Sequence, residues 1–134
     1  MMLVVDTNIL FSFFWENSFT KKILMNSNIQ FVSPKLAPKE LKKYSSLIMQ
    51  KTGISKKEFQ LKFDELFSFV KIVSEKEYKS FLKNAEKISP DKDDSEFFAI
   101  CLKLKIPLWS NDKLLKNQNE IEVLSTKDIL ELIF

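Results

Sequence analysis

Four acidic side chains stand where predicted strands end or predicted helices begin: Asp6 in VVDTN, Glu40 in APKEL, Asp94 in DKDDSEFF and Asp112 in LWSNDK. Carboxylates gathered at one point repel, and their pKa values rise unless a cation compensates. Mg²⁺ and Mn²⁺ suit such a set because they are hard ions that prefer oxygen ligands, whereas zinc favours Cys and His. The chain has no histidine, one cysteine and one glycine, which removes most other routes to catalysis. A hydrated divalent cation can lower the pKa of a bound water, position it for in-line attack and neutralise charge on a phosphoryl oxygen. Phosphodiester hydrolysis is the natural reaction, because metal and carboxylate together replace a histidine base.

The elements that must position these acids are legible as alternating patterns. Short apolar runs at Met2–Val5, Ile29–Val32, Val70–Val73, Pro107–Ser110 and Ile121–Leu124 read as strands. Between them, Ala37, Leu41, Tyr44 and Ile48 have helical spacing, as do Phe59, Phe63, Leu66 and Val70, and Tyr78, Phe81, Leu82 and Ala85. Ser55 with Glu58, and Ser74 with Glu77, have capping-box spacing, and Gly53 is placed to stop a helix before Ser55. Strand and helix alternate from end to end, so the expected fold is α/β, a three-layer α/β/α sandwich with a mainly parallel five-stranded sheet. Ligands bind such sheets at the carboxyl ends of strands, where strand order reverses. If the first and fourth strands are neighbours there, Asp6 and Asp112 face one crevice. Asp94 opens the following helix, and Glu40 lies in the first turns of a helix expected to begin near Pro34.

Composition sets further bounds. The 134 residues fit a single domain, 1–134, near the usual ~100–150. Thirteen phenylalanines are expected mainly in the core. All 21 basic residues are lysine against 18 acidic residues, a net charge of +3, which permits an anionic partner without demanding one. Without arginine, bidentate guanidinium recognition of phosphate is excluded for this chain acting alone. Cys101 is unpaired, which favours a reducing compartment, and its place on an apolar helix face marks it as a buried hydrophobe. MMLVVD reaches a charge too early for a signal peptide, and no apolar run approaches the ~18 residues of a membrane span. A cytoplasmic protein is expected.

Taken together, VVDTNIL at 4–10, PKLAPKEL at 34–41, DKDDSEFFAICLKLKIPLWSNDKLL at 91–115 and STKDIL at 125–130 resemble the PIN-domain family, and in size its VapC-type toxins. The third block is the most specific, with acids before an aromatic helix and then a short strand ending in [ST]-x-D-K. The resemblance implies five parallel strands between helices and an acidic site that binds Mg²⁺ or Mn²⁺ and cuts RNA. It assigns Asp6, Glu40, Asp94 and Asp112 as the metal-binding and catalytic acids. Asp91 aligns with a further metal-binding acid, Asp93 being the alternative if the block shifts by one. Thr7, Asn8, Ser110 and Asn111 match polar positions that orient carboxylates or the metal's waters. Lys35, Lys39, Lys113 and Lys116 take the place of the arginines many toxin relatives carry, so RNA binding is expected to rest on them. The helix SEFFAICLKL departs from the family in carrying two phenylalanines and Cys101 where small residues are usual.

The resemblance also implies partners: RNA as substrate, a VapB-like antitoxin and a second copy of the chain. Two other functions stand beside the toxin reading, a housekeeping RNA-processing nuclease and a catalytically silent RNA- or protein-binding module. DTN also resembles in part the opening of haloacid-dehalogenase-like phosphatases, but Asn8 occupies the second aspartate's place. Lys42–Lys43 and Lys56–Lys57 read as solvated faces. For Trp15 and Tyr44, packing in the core or against a protein is favoured over stacking on bases.

Overall fold

A five-stranded, wholly parallel sheet in the order β3-β2-β1-β4-β5 forms the middle of the molecule. The computed structural model describes residues 1–16 and 18–134. Along the chain come β1 (Met2–Val5), α1 (Thr7–Ser12), α2 (Thr20–Leu24), β2 (Gln30–Pro34), α3 (Leu36–Lys43), α4 (Ser45–Thr52) and α5 (Lys56–Phe69). There follow β3 (Val70–Val73), α6 (Glu75–Tyr78), α7 (Leu82–Ile88), α8 (Ser95–Leu104), β4 (Leu108–Trp109), β5 (Val123–Leu124) and α9 (Thr126–Ile133).

The topology follows from handedness. From β1 the chain steps outward to β2 and then β3, and returns to pair β4 with the opposite side of β1. Parallel crossovers are right-handed, so reversing direction across the sheet moves the connecting helices to its other face. Thus α8, which touches β1, β2 and β4, covers one face, while α3 against β2 and α5 against β3 cover the other. The central strand shows the result: Leu3, Val4 and Val5 are fully buried, as expected of a strand covered on both faces.

The expected strands are all present, with shifts at their ends. The second strand begins one residue later than its apolar run and extends to Pro34, and α3 starts two residues on, at Leu36, near Pro34 as expected. β4 and β5 shorten to two residues each. The helical run from Ala37 to Ile48 is broken at Tyr44, which leaves helical geometry (φ −100°, ψ 16°) and sets its ring edge-on to Phe11 at 6.0 Å. Val70 opens β3 and does not continue α5. Gly53 ends α4 in the left-handed region at φ 75°, which glycine adopts without steric penalty.

The capping box at Ser55 and Glu58 forms in full. At Ser74 it does not: the Glu77 N–H donates to the Ser74 carbonyl, and the hydroxyl makes no capping bond. Seven of the thirteen phenylalanines are buried; Phe11, Phe67, Phe69 and Phe81 pack partly against the core, and Phe19 and Phe134 are exposed. Among the described residues, no helix is long and apolar enough to cross a membrane.

Candidate acidic site at the sheet's switch point

β1 and β4 are neighbours, with Val5 beside Trp109, so the sheet reverses its order where Asp6 emerges. The Asp6 N–H donates to the Trp109 carbonyl at 3.0 Å, which fixes the backbone of the first acid to the end of β4. On the other side the fully buried Ser33 hydroxyl of β2 donates to the Val5 carbonyl at 2.7 Å. Sequence reasoning did not single out Ser33; a serine closing an apolar run immediately before proline was the available signal.

Ser110 joins two of the acids. Its buried hydroxyl donates to Asp6 Oδ2 at 2.7 Å and accepts the Asp112 N–H at 3.1 Å. One hydroxyl thereby holds the Asp6 carboxylate and the turn that carries Asp112, whose own Oδ1 accepts the Leu114 N–H. Glu40, on α3, is reached from α1: Thr7 Oγ1 donates to Glu40 Oε1 at 2.9 Å. Asp94 is the residue before α8, yet its side chain makes no capping bond. Asp91 is exposed and accepts the Asp93 N–H, ordering the turn ahead of Asp94.

The electrostatics tie the acids together. Asp94 is pushed up from 3.8 to about 7, first by burial and then by the negative charges of Asp6, Asp91, Asp112 and Glu40. Asp91, and not Asp93, is among the charges that act on it. Asp6 is also raised, chiefly by burial. Its bond from Ser110 and the nearby N–H groups of Asn8 and Thr7 offset part of that rise, although neither N–H reaches capping geometry, and Asp112 adds to it. The acids share one field without closing on one point. Among the described residues, no group of three or more Asp, Glu or Cys side chains stands close enough to hold an ion, a spacing that mutual repulsion favours.

The remaining expected residues fall out differently. Asn8 is exposed beside the crevice. Asn111 turns its side-chain carbonyl to the Thr126 N–H at 2.8 Å, so it anchors the start of α9 rather than a carboxylate. Lys35, Lys39 and Lys113 are exposed near the acids in sequence and, among the described residues, form no ion pair. Lys116 is paired with Asp128 at 3.2 Å, with both side chains still open to solvent. Cys101 is fully buried and burial raises its thiol pKa, as expected of an inert hydrophobe. Trp15 and Tyr44 are not core residues; each is 40% exposed.

Ser110→Ala is expected to cost about 2 kcal/mol of stability near neutral pH, since it removes the hydroxyl donor from a buried, charged carboxylate. The loss should shrink in acid, where Asp6 is protonated; urea unfolding at the two pH values reads it. Equal losses at both would show that Ser110 acts through packing alone.

A family model described as PIN domain matches residues 4–128, from β1 into α9, and takes in all five acids discussed above. No curated protein sequence matches the chain. The chain belongs to the PIN domain family, whose members are generally nucleases that use divalent metal ions.

Proposed function

We propose that the chain is a Mg²⁺- or Mn²⁺-dependent endoribonuclease of the cytoplasm, acting as the toxin of a VapBC-type module. The observation that carries the reading is Asp94: a carboxyl raised to about 7, first by burial and then by four other acids, is a group whose charge calls for a cation. The donor set fits a hard ion, being all oxygen, with no histidine in the chain and its one cysteine sealed in the core.

In this reading Asp6, Asp94 and Asp112 would hold the ion, drawing in on it from the wider spacing they keep without it, with Asp91 beside them. The ion supplies charge that acidifies a water and stabilises the developing phosphoryl negative charge. The chain's own work is positional. Ser110 keeps Asp6 and the Asp112 turn in register. Thr7 directs the Glu40 carboxylate, which orients the attacking water. Lys35, Lys39 and Lys113 attract the RNA backbone as point charges. A VapB-like antitoxin and a second copy of the chain are the partners this role carries.

Cleavage of a broad RNA panel with Mn²⁺ or Mg²⁺, abolished by a chelator, is the expected result. Metal binding with no cleavage of any RNA would overturn the nuclease reading in favour of a silent binding module. Growth arrest on expression, relieved by the product of a short adjacent reading frame, is expected for a toxin. Trimming of a precursor RNA without arrest would assign the housekeeping role instead.

A further inference from the structure

A hollow of about 450 Å³ opens beside the acids, between α1, α2 and the β4–α9 junction. Asn8, two residues after Asp6, and Asn111, between Ser110 and Asp112, are among its lining residues and tie it to the acids along the chain. Trp15 and Phe19 line it with 40% and 58% of their surfaces exposed, and Phe11 with the hydroxyl residues Ser12, Ser18, Thr20 and Thr126 makes up the rest of its wall. Large aromatic rings left open to water in a recess are costly unless something covers them. The size is within the ~300–1,000 Å³ of small-ligand pockets.

The chemistry of the lining selects the occupant. Among the described residues no lining side chain is charged, so the hollow offers no cation to favour a phosphate or a peptide carboxylate. What it offers is aromatic surface beside two side-chain amides and a few hydroxyls. Because the Asn111 oxygen is committed to the Thr126 N–H, its NH₂ is the end left to donate outward. Aromatic faces with a few hydrogen-bonding edges are the means by which proteins hold unpaired bases.

We propose that this hollow is a nucleobase subsite: it takes one unstacked base of single-stranded RNA next to the phosphate presented to the acids, stacking it on Trp15 and Phe19 while Asn8 and Asn111 contact its edge. This rests on the nuclease reading for the position of the phosphate. It makes single-stranded RNA the substrate class, because a base inside a duplex is not free to enter.

The chain supplies its own probe. Its two tryptophans are Trp15 and Trp109, and Trp109 is fully buried, so a quencher that enters the hollow acts on Trp15. With chelator present to prevent cleavage, a short unstructured oligoribonucleotide should quench the fluorescence saturably. The same strand in a duplex, or one with abasic ribose at every position, should bind roughly tenfold or more weakly. Trp15→Ala and Phe19→Ala should each weaken the single strand by about tenfold in fluorescence anisotropy, with little effect on the abasic strand. Equal binding of normal and abasic strands, or unchanged affinity in both variants, overturns the subsite. A response to a peptide segment with none to RNA would assign the hollow to a protein partner and also overturn it. Metal-dependent cleavage without base-dependent quenching would sink the subsite alone, and base-dependent quenching without cleavage would sink the nuclease reading alone.

Discussion

Asp94→Asn is expected to abolish RNA cleavage while making the metal-free fold more stable above neutral pH. Both effects come from one carboxyl. In the unfolded chain it titrates near ~3.9; in the fold it is pushed up to about 7 by burial and by Asp6, Asp91, Asp112 and Glu40. Between those values the folded state keeps a proton that the unfolded state has released. The unfolding free energy therefore falls as pH rises across this window and levels off once Asp94 is ionised in both states. Asparagine cannot ionise, so the variant escapes that loss.

Asp94 is partly open to solvent, so the gain is on the order of 1 kcal/mol, or about 3 °C in Tm at about pH 8, and nothing below about pH 4. Mn²⁺ should reverse the ranking. An ion bound only by the folded state at about a hundred times its Kd adds about 2.7 kcal/mol to the wild type, and the variant has lost a ligand. Cleavage should fall by at least about 10²-fold. Thermal melts of both proteins across pH, with chelator and then with Mn²⁺, alongside an RNA assay, test all three effects. A variant that still cleaves, or whose stability relative to wild type does not change with pH, would remove Asp94 from the centre of the site.

What the sequence displayed and what it hid divides along the range of the interactions. The first and third strands were legible to the residue: MLVV is the unbroken apolar run of a strand covered on both faces, and VKIV, at the sheet edge, is apolar except for its exposed Lys71. The break at Tyr44 was not, since Ala37, Leu41, Tyr44 and Ile48 keep helical spacing straight through it; the ring's contact with Phe11, from another helix, accompanies the turn. Two identical capping signals had different outcomes because one precedes the fourteen residues of α5 and the other a single turn of four. Within the site, the candidate acids were named from local motif and position. Their supports were not, because Ser110 meets Asp6 across 104 residues and Thr7 meets Glu40 across 33. Asn111 was placed with the acids by position, and the bond its carbonyl accepts from the Thr126 N–H was not legible. Exposure was hidden as well: nothing in the sequence around Trp15 says that its ring faces a hollow and not the core.

Trp109→Ala is expected to lower stability by about 3–5 kcal/mol, the range for emptying a buried aromatic site. The indole is fully buried, lies 5.7 Å from the Phe31 ring, and donates its Nε1–H to Thr126 Oγ1 at 3.0 Å. β4 is only two residues long, so its backbone ladder is short and this side chain carries much of its attachment. The Trp109 carbonyl accepts the Asp6 N–H, and the next residue is Ser110, so loosening β4 loosens two acids at once. Against a total stability of about 5–15 kcal/mol, the alanine variant should sit near the unfolding threshold. Trp109→Phe keeps most of the apolar volume but leaves Thr126 without its indole donor, and should cost about 1–2 kcal/mol. Urea midpoints of both variants, at unchanged m-value, test the ranking. If Trp109→Ala stayed within about 1 kcal/mol of wild type, less than any cavity of that size should cost, then neighbouring side chains collapse into the gap. The backbone bonds of Asp6 and Ser110 would in that case suffice to hold the switch point.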